Sequence, residues 1–283
     1  MKTGPHAPGR RALLPASLWS MAQGDAWPSR PITYVVPFTP GGSTDVIGRL
    51  IAQKLGEQLG QPVVVDNKPG AAGAVGVAYA AKAKPDGYTL FGGTISTHAI
   101  NASLYKNLPY DPVKDFDPIA LVAFLPNVLI VDPALGVNSA AELVALLKKD
   151  PSRRSFASSG AGTSTHLAGE MLGDMIGVKL THIPYKGTPP AMLDVSSGQV
   201  TFMFDRITAA LPLVQAGKLK LLAVTLQLGM DVVAGSPAEL AALMQKEIPR
   251  WGELVRKSGA TANRLPLVIP YPTNVRHSHP PLR

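Results

Sequence analysis

Short apolar segments alternate with longer segments of helical period along most of the chain, and this alternation constrains the fold more than any other feature. Ile32–Val36 is a run of β-branched and aromatic residues, and residues 62–65 are apolar throughout. Between these two segments, apolar residues from Val46 to Leu59 recur at helical spacing. Strands that are apolar on both faces are typical of sheets covered by helices on both sides. The alternation predicts an α/β fold with largely parallel sheets.

The same pattern continues towards the C-terminus. Helices are predicted near 74–83, from a capping box at Ser139 to about Lys149, from about Leu167, and from a second capping box at Ser236 with a kink at Pro249. Further strands are predicted at 88–91, 128–131, 155–157, 200–204 and 219–225.

Composition limits the classes of chemistry that remain. The chain has 283 residues, of which 46% are hydrophobic and 16% charged, so it can build a sizeable core in one large or two modest domains. Cysteine is absent, which excludes disulfides, thiolate metal ligands and cysteine nucleophiles. Its six histidines lack the paired spacing of a metal site. We therefore expect neither a metal nor a cofactor.

The formal net charge of +8 is concentrated at the two ends. Residues 1–22 and 264–283 carry six basic residues and no acidic ones. The remainder holds 21 basic and 19 acidic residues and lacks a basic stripe with interleaved aromatic residues. A nucleic-acid surface needs such a stripe, so no nucleic-acid partner is expected.

Both ends differ in composition from the central part. Residues 1–22 place Arg10 and Arg11 before an apolar stretch that closes on Ser20-Met21-Ala22, the arrangement of a cleaved signal peptide. Residues 264–283 contain five prolines, no acid and no periodicity, which predicts a disordered tail. No apolar run reaches the ~20 residues that span a bilayer. The sequence thus predicts an exported chain.

Three loops rich in glycine, serine and threonine, at 37–45, 92–98 and 158–166, follow predicted strands, and none contains lysine or arginine. In parallel α/β sheets, ligands bind beyond the carboxyl ends of the strands. Glycine lets backbone N–H groups approach a ligand, and the start of a helix attracts an anion. Turn geometry and helix capping explain any one such loop equally well. Three such loops together support a ligand site as well as they support turn geometry. Without a fixed cation, such a site suits a carboxylate better than a triphosphate.

Nucleotide binding is a second reading of the glycines. Gly70, Gly73 and Gly76 follow a strand and open a helix, but their spacing is G-x-x-G-x-x-G rather than G-x-G-x-x-G. No phosphate-loop motif G-x-x-x-x-G-K-[ST] occurs in the sequence. We interpret this segment as a tight turn with close helix packing.

Catalysis is the remaining alternative, because the loops contain the residue types of a serine–histidine–aspartate set. No G-x-S-x-G elbow is present. Without catalysis, we expect His166 to cap a helix or orient a ligand, and Asp45 to fix loop 37–45. Asp205, at the end of a strand, would meet a polar group of the ligand. The candidate side chains are Ser159, Ser164, His98, His166, Asp45 and Asp205.

The motifs together resemble the Bug family, the periplasmic receptors of tripartite tricarboxylate transporters. The resemblance runs in order through most of residues 27–225 and resumes at about 229–260. Its segments are WPSRPI at 27–32, PFTPGGSTD at 37–45, VDNKPGAAG at 65–73, PDGYTL at 85–90, SSGAGTSTHL at 158–167, PYKG at 184–187 and GKLKLLAVT at 217–225.

This resemblance implies a periplasmic-binding-protein-like α/β fold with two α/β domains around a ligand cleft. The first domain would comprise 27–126 plus 229–263, and the second 127–225. A non-enzymatic periplasmic receptor would pass a di- or tricarboxylate, acidic amino acid or aromatic acid to the membrane permease subunits of a transporter. Backbone N–H groups of loops 37–45 and 158–166 would hold the carboxylate. The ligand-binding positions are Phe38, Gly41, Gly42, Ser43, Thr44, Asp45, Thr94, Ser96, His98, Ser159, Gly160, Gly162, Thr163, His166 and Asp205.

The sequence departs from the family pattern after Thr225. Leu226-Gln227-Leu228 passes almost directly to Gly229, where a much later part of the pattern resumes. We interpret this as an internal deletion, which removes a sheet strand and exposes edges. Two alternatives to a working receptor stay open: a non-functional truncated receptor, and a serine hydrolase-like enzyme that uses Ser159 and His166.

Overall fold

The computed structural model describes residues 27–224 and, within 242–256, positions 242, 245, 246, 248–250, 252, 253, 255 and 256. These last positions are all helical, as predicted. The predicted signal peptide, the departure after Thr225, the capping box at Ser236 and the tail at 264–283 lie outside the described residues. The kink at Pro249 stays a prediction.

The first sheet has three parallel strands in the order β2-β1-β3. They are β1 (Ile32–Val36), β2 (Val63–Asn67) and β3 (Thr89–Phe91). Helix α1 (Ser43–Leu59) joins β1 to β2 and ends at Gly60 with φ 67°, a left-handed conformation that glycine adopts readily. A 3₁₀ turn (Ala71–Gly73) leads into α2 (Ala74–Ala81) before β3. Parallel strands with helical crossovers confirm this part of the prediction.

Beyond β3 a helical turn begins within the segment 92–98, which the sequence predicts as a loop. A π-helical turn (Ser96–Ile100) continues into α3 (Asn101–Leu104), so Ser96 and His98 lie in a helix rather than in a loop. The Tyr110 hydroxyl donates to Thr97 O (2.6 Å) and accepts from Asn101 Nδ2 (3.1 Å). These buried bonds fasten the irregular segment that follows onto the helix.

The second sheet has five strands in the order β6-β5-β7-β4-β8. Its strands are β4 (Asn127–Val131), β5 (Ser155–Ser158), β6 (Thr181–Pro184), β7 (Phe202–Arg206) and β8 (Lys220–Val224). Its helices are α4 (Ala140–Lys149), α5 (Ser164–Ile176), α6 (Thr188–Ser196) and α7 (Ile207–Gln215). Strand β4 is antiparallel to β7 and β8, while β5 is parallel to β6 and β7. The sheets are thus largely parallel, as predicted, and β4 is the antiparallel exception, which lies between two strands that α7 keeps parallel to each other.

Two further corrections concern the second sheet. Strand β6 and helix α6 have no counterpart among the predicted elements, because β6 is only four residues long and its end residues, Thr181 and Pro184, are exposed. Helix α5 begins at Ser164 rather than near Leu167. Thr163 is its N-cap residue and accepts a hydrogen bond from the His166 N–H (3.4 Å), so the polar residues 164–166 form the first helical turn.

The core lies on both faces of the second sheet. Along β4, Val128 and Ile130 pack with Ala191 and Met192 of α6, as expected when alternate residues face the same side. Leu129 and Val131 pack on the opposite face with side chains of α4 and β5, namely Leu143, Leu147 and Phe156. Burial on both faces explains why this strand reads as continuously apolar.

A smaller cluster joins the two sheets. Ile100 beside α3, Leu167 of α5 and Val255 from the C-terminal helical segment are buried together, with Ile248 packed against them. The C-terminal segment therefore packs where the two sheets meet. None of the helices that the structure describes combines the length and apolarity needed to cross a membrane.

Candidate functional site

Loop 37–45 is fixed from below by Asp45, whose side chain is almost fully buried (2% exposed). Its carboxylate accepts hydrogen bonds from the Gly41 N–H (2.9 Å), Arg49 Nε (2.9 Å) and Asn67 Nδ2 (2.9 Å). Asn67 Nδ2 also donates to Phe38 O (3.0 Å). Burial raises the pKa of Asp45, but these hydrogen bonds outweigh it and hold the pKa below its usual value. Asp45 therefore sets the shape of the loop.

At the N-terminus of α1, this loop has polar groups without hydrogen-bond partners. Helix α1 begins at a glycine cap, Gly42, which has no side chain to accept from the first N–H groups of the helix. The Gly42 N–H itself makes only a long bond to Thr39 O (3.5 Å). Among the described residues, the buried Thr39 Oγ1 and Ser43 Oγ also have no partner. Buried polar groups normally find one, so this end of α1 is suited to an added acceptor.

The start of α6 lies directly across from the start of α1. A Cβ placed on Gly42 would lie 3.7 Å from Thr188 Cβ, and one on Gly41 would lie 3.5 Å from Pro189 Cγ. A Cβ on Gly187, the cap residue of α6, would collide with the Thr39 hydroxyl. Two helix N-termini without side-chain caps thus face each other, one from each sheet. Their positive dipole ends favour an anion between them.

Asp205 lies at the end of β7 and is fully buried. Its Oδ1 accepts from the Arg206 N–H (2.6 Å), whereas its Oδ2 has no partner within the described part of the chain. Burial raises the pKa of Asp205, against smaller opposing effects of Arg206 and of Thr188, which lies nearby. Its placement beside Thr188 brings it to the same cleft as the start of α1.

Loop 158–166 differs because most of its N–H groups already have acceptors within the protein. Its hydroxyls form a network, with Thr163 Oγ1 donating to Gly160 O (2.7 Å) and lying 2.9 Å from Thr165 Oγ1. Gly160 and Gly162 have φ of 144° and 86°, which few other residues adopt. The donors and acceptors are Ser159 N to Thr165 Oγ1 (3.2 Å), Gly160 N to Ser158 Oγ (3.2 Å), Gly162 N to His166 Nδ1 (3.0 Å), Thr163 N to Gly160 O (3.2 Å) and Ser164 N to Ser96 Oγ (3.2 Å).

His166 is buried behind this loop with both ring nitrogens occupied. Nδ1 accepts from the Gly162 N–H, and Nε2 lies 3.3 Å from Glu170 Oε1. The ring stacks on His182 at 3.8 Å between centroids. Burial lowers the pKa of His166 to about 4, so the ring is neutral near pH 7. His166 thus supports the loop.

The Ser159–His166 pair that the hydrolase alternative requires is not formed. A nucleophilic serine needs its base at hydrogen-bond distance. Ser159 Oγ instead lies 3.1 Å from Thr165 Oγ1, and the His166 nitrogens are engaged elsewhere. This geometry gives the hydrolase alternative no support.

A cluster of His166, Glu170 and His182 brings three ligand-type atoms within 4.8 Å of one another. The two imidazole rings are stacked with an interplanar angle of 20°, and His166 Nδ1 already accepts a hydrogen bond. Because imidazole lone pairs lie in the ring plane, two parallel rings cannot aim both at one ion. The cluster is a packed stack rather than a coordination set.

The third predicted loop contributes one residue to the junction between the sheets. Ser96 Oγ accepts the Ser164 N–H. Thr94 hydrogen-bonds within its own turn, through its N–H to Thr97 Oγ1 (2.9 Å). His98 lies between Phe91 and Phe116, and burial lowers its pKa to about 4. The described contacts therefore bring Ser96 to the other loops but leave Thr94 and His98 in local packing.

Sequence reasoning missed several residues that the structure brings to this junction. Thr188 follows the PYKG segment and Arg206 ends β7, so their positions at helix starts could have signalled them. Ala72 has φ of 52° and lies next to Gly160 and Gly162 across the cleft, where a Cβ on Gly162 would lie 3.9 Å from Ala72 Cβ. The turn at 71–73, interpreted only as close packing, therefore also forms part of the cleft wall. The residues without a predicted role are Thr39, Ala72, Thr188 and Arg206.

Comparison with known proteins gives a consistent picture. The family model described as "Tripartite tricarboxylate transporter family receptor" matches residues 47–228. A protein of Pseudomonas sp. (strain P51), described as "UPF0065 protein in tcbD-tcbE intergenic region", is 39% identical over 224 residues. This match covers 77% of the present chain and 66%, just under two thirds, of that protein.

Solved structures of similar fold include the R. palustris protein Rpa4515 with adipate, with a TM-score of 0.80 and 31% identity. This likeness covers 83% of the present chain and 99% of the other. The periplasmic binding protein BugD has a TM-score of 0.76 and 31% identity, over 83% of this chain and 100% of that one. The periplasmic-binding-protein-like α/β fold and the Bug-family resemblance are thereby confirmed.

Proposed function

Because the chain belongs to the tripartite tricarboxylate transporter receptor family, we propose that it is an extracytoplasmic receptor that captures a small carboxylate and delivers it to the transporter's membrane permease subunits. The family is one of solute-binding receptors, and the similar structure of BugD is a periplasmic binding protein. Capture in the periplasm, the carboxylate ligand and the permease partner are parts of the proposal.

One observation carries the choice of ligand class, namely the open N-terminus of α1 facing that of α6. Its glycine cap leaves the first N–H groups without an acceptor from a capping side chain, and Thr39 and Ser43 add unpaired hydroxyls. Loop 37–45 contains no lysine or arginine, which suits a carboxylate held by N–H groups better than a triphosphate. The adipate bound to the similar Rpa4515 is also a small carboxylate.

We assign roles to the predicted residues on this basis. Phe38, Gly41, Gly42, Ser43 and Thr44 form the wall that meets the carboxylate, while Asp45 holds that wall in shape. The second loop forms the opposite wall through Ser159, Gly160, Gly162 and Thr163, with His166 as its support. Asp205 meets a polar group of the ligand, and Ser96 ties the two walls together, whereas Thr94 and His98 stabilise the first wall from behind.

Closure of this cleft uses two domains, proposed as 27–126 plus 229–263 and 127–225. The two sheets, at residues 32–91 and 127–224, agree with such a division. The C-terminal segment would return to the first domain, in keeping with the packing of Val255 on Ile100.

A thermal-shift screen of the purified full chain tests the proposal. The panel contains citrate, malate, succinate, adipate, aspartate, glutamate and benzoate, each with its neutral amide as a control. A ligand at about 100 times its Kd should raise the melting temperature by on the order of 5 °C. The acid should be recovered unchanged, as expected of a receptor. Cooperative melting without a shift for any acid would contradict the proposal and favour the non-functional alternative.

A further inference from the structure

Arg206 lies at the end of β7 and is the N-cap residue of α7. Its Nη2 donates to Ser164 Oγ (2.7 Å) at the start of α5. The Ser164 N–H in turn donates to Ser96 Oγ (3.2 Å). Ser96 begins the π-helical turn that follows β3 of the first sheet. The guanidinium is therefore partly buried at the junction of elements from both sheets, beside the loops of the candidate site.

No carboxylate forms an ion pair with this guanidinium among the residues that the structure describes. More exposed arginines do have such partners: Arg49 pairs with Asp45 at 2.9 Å and Arg30 with Asp86 at 3.1 Å. Asp205 adjoins Arg206 in sequence, but its Oδ1 accepts the backbone N–H, not the guanidinium. The charge of Asp205 opposes the effect of burial on the pKa of Arg206 but forms no ion pair with it. A guanidinium has five donors, and most of them remain available here.

Buried polar atoms without hydrogen-bond partners near Arg206 are a second, independent observation that points to a bound ligand. The Oδ2 atom of Asp205 is buried without a partner, and so is Ser43 Oγ at the start of α1. Thr188 links the two, because it lies opposite Gly42 and close to Asp205. The unpaired polar atoms thus occur on both sides of one cleft, which has Arg206 at its edge.

We propose that Arg206 is a ligand-pairing residue whose guanidinium binds a carboxylate of the solute at the end away from the α1 N-terminus. This inference rests on the proposed function and narrows it to acids with two negative groups. The planar guanidinium can bind a carboxylate through two parallel hydrogen bonds, and it has no acceptor with which to bind an amide N–H. Arg206 therefore selects a diacid over its monoamide.

The rival role is structural, with Arg206 serving only to hold α5 through Ser164. The two roles differ in their effect on ligand choice. A structural anchor would alter the affinity for a diacid and its monoamide equally, whereas a pairing residue alters the ratio of the two affinities.

Titration calorimetry on the full chain tests this with succinate, glutarate and adipate and with the monoamide of each. The unmodified protein should bind one diacid at least about tenfold more tightly than its monoamide. Arg206→Gln should weaken the diacid by at least about tenfold and abolish the preference, and Arg206→Lys should keep part of it. Ser164→Ala should keep the preference. Arg153→Gln, which removes an exposed arginine remote from the cleft, is the matched control.

Melting curves show whether each variant is folded, and Arg206→Lys keeps the test decisive if Arg206→Gln unfolds. The role of Arg206 would be overturned if the preference for a diacid over its monoamide stayed at full strength in Arg206→Lys and in a folded Arg206→Gln. The proposed function would then remain intact. Equal loss in Arg206→Gln and Ser164→Ala, with the ratio unchanged, would establish the structural role instead. Failure of the unmodified chain to bind any of the six compounds, while it binds another acid of the thermal-shift panel, would overturn the role of Arg206 and leave the proposed function intact.

Discussion

The two loops that open α1 and α5 contain similar residues but are built in opposite ways. Loop 37–45 is fixed by one buried carboxylate, Asp45, and its helix starts at a glycine without a capping side chain. Loop 158–166 caps its helix with Thr163 and pairs its own N–H groups with its own hydroxyls and His166. The first N–H groups of α1 therefore have no capping side chain, whereas loop 158–166 uses most of its N–H donors.

A glycine- and serine-rich sequence therefore does not by itself define a binding loop. A hydroxyl at the cap position satisfies the helix start, while a glycine there leaves it open. We therefore expect substitutions in the first loop to act mainly on ligand affinity and those in the second mainly on stability.

The largest effect is expected at Gly42. Gly42→Leu should abolish binding of any acid identified in the screen, by more than about a thousandfold in Kd, because the side chain fills the space opposite Thr188. The backbone tolerates it, since Gly42 has φ of −77°. Calorimetry measures the loss, and Gly42→Ala, whose Cβ makes ordinary contacts, should lose much less. Undiminished affinity in Gly42→Leu would exclude the proposed site.

A loss of stability should follow Asp45→Asn. The amide cannot accept from all the donors around Asp45, so the free energy of unfolding should fall by about 2–4 kcal/mol at pH 7 in urea titrations. Because the folded pKa of Asp45 is lowered, its contribution is full above the unfolded pKa of about 4 and is lost as the pH falls through the folded pKa. The difference between the two proteins should therefore narrow in acid.

Asp117→Asn is the control, since Asp117 is exposed and is not part of the loop. An Asp45→Asn protein of unchanged stability would mean that the carboxylate does not shape loop 37–45.

Acid should destabilise the second loop through its neutral histidines. The pKa of His166 is lowered to about 4, so stability is full above the unfolded pKa of about 6.5 and falls as the pH drops from there to about 4. The expected loss is on the order of 2–3 kcal/mol. His166→Asn, whose Oδ1 can accept from the Gly162 N–H, should make this dependence shallower in urea titrations between pH 7 and 4. The remaining slope comes from His98 and His182, whose pKa values burial also lowers. The same slope in both proteins would contradict the assignment.

The smallest effect is expected at the cap of α5. Thr163→Val removes bonds to Gly160 O and the His166 N–H and should lower the free energy of unfolding by about 1–2 kcal/mol, with affinity unchanged within about threefold. Ser139→Ala, at the exposed cap of α4, is the comparison and should cost about 1 kcal/mol. An affinity loss in Thr163→Val as large as that in Gly42→Ala would show that the second loop contacts the ligand as directly as the first.

Much of the first sheet could be predicted, because its signals are local. Strand β1 agrees with its predicted bounds, and α1 begins after the glycines that mark its start. Strand β6 and helix α6 were missed, since four residues with exposed ends carry no apolar period. The reversed direction of β4 depends on pairing with β7 and β8, which are distant in sequence and leave no local pattern.

The alternation of strands and helices, the glycine-rich loops and the family of the chain follow from residue type and order alone. Which polar groups remain unpaired depends on contacts between residues that are distant along the chain. Hydrogen bonds between Asp45 and Asn67, or between Ser164 and Ser96, join residues 22 and 68 positions apart. Long-range hydrogen bonds of this kind engage N–H donors of loop 158–166, while the first N–H groups of α1 have no capping side chain. No local sequence pattern predicts this difference.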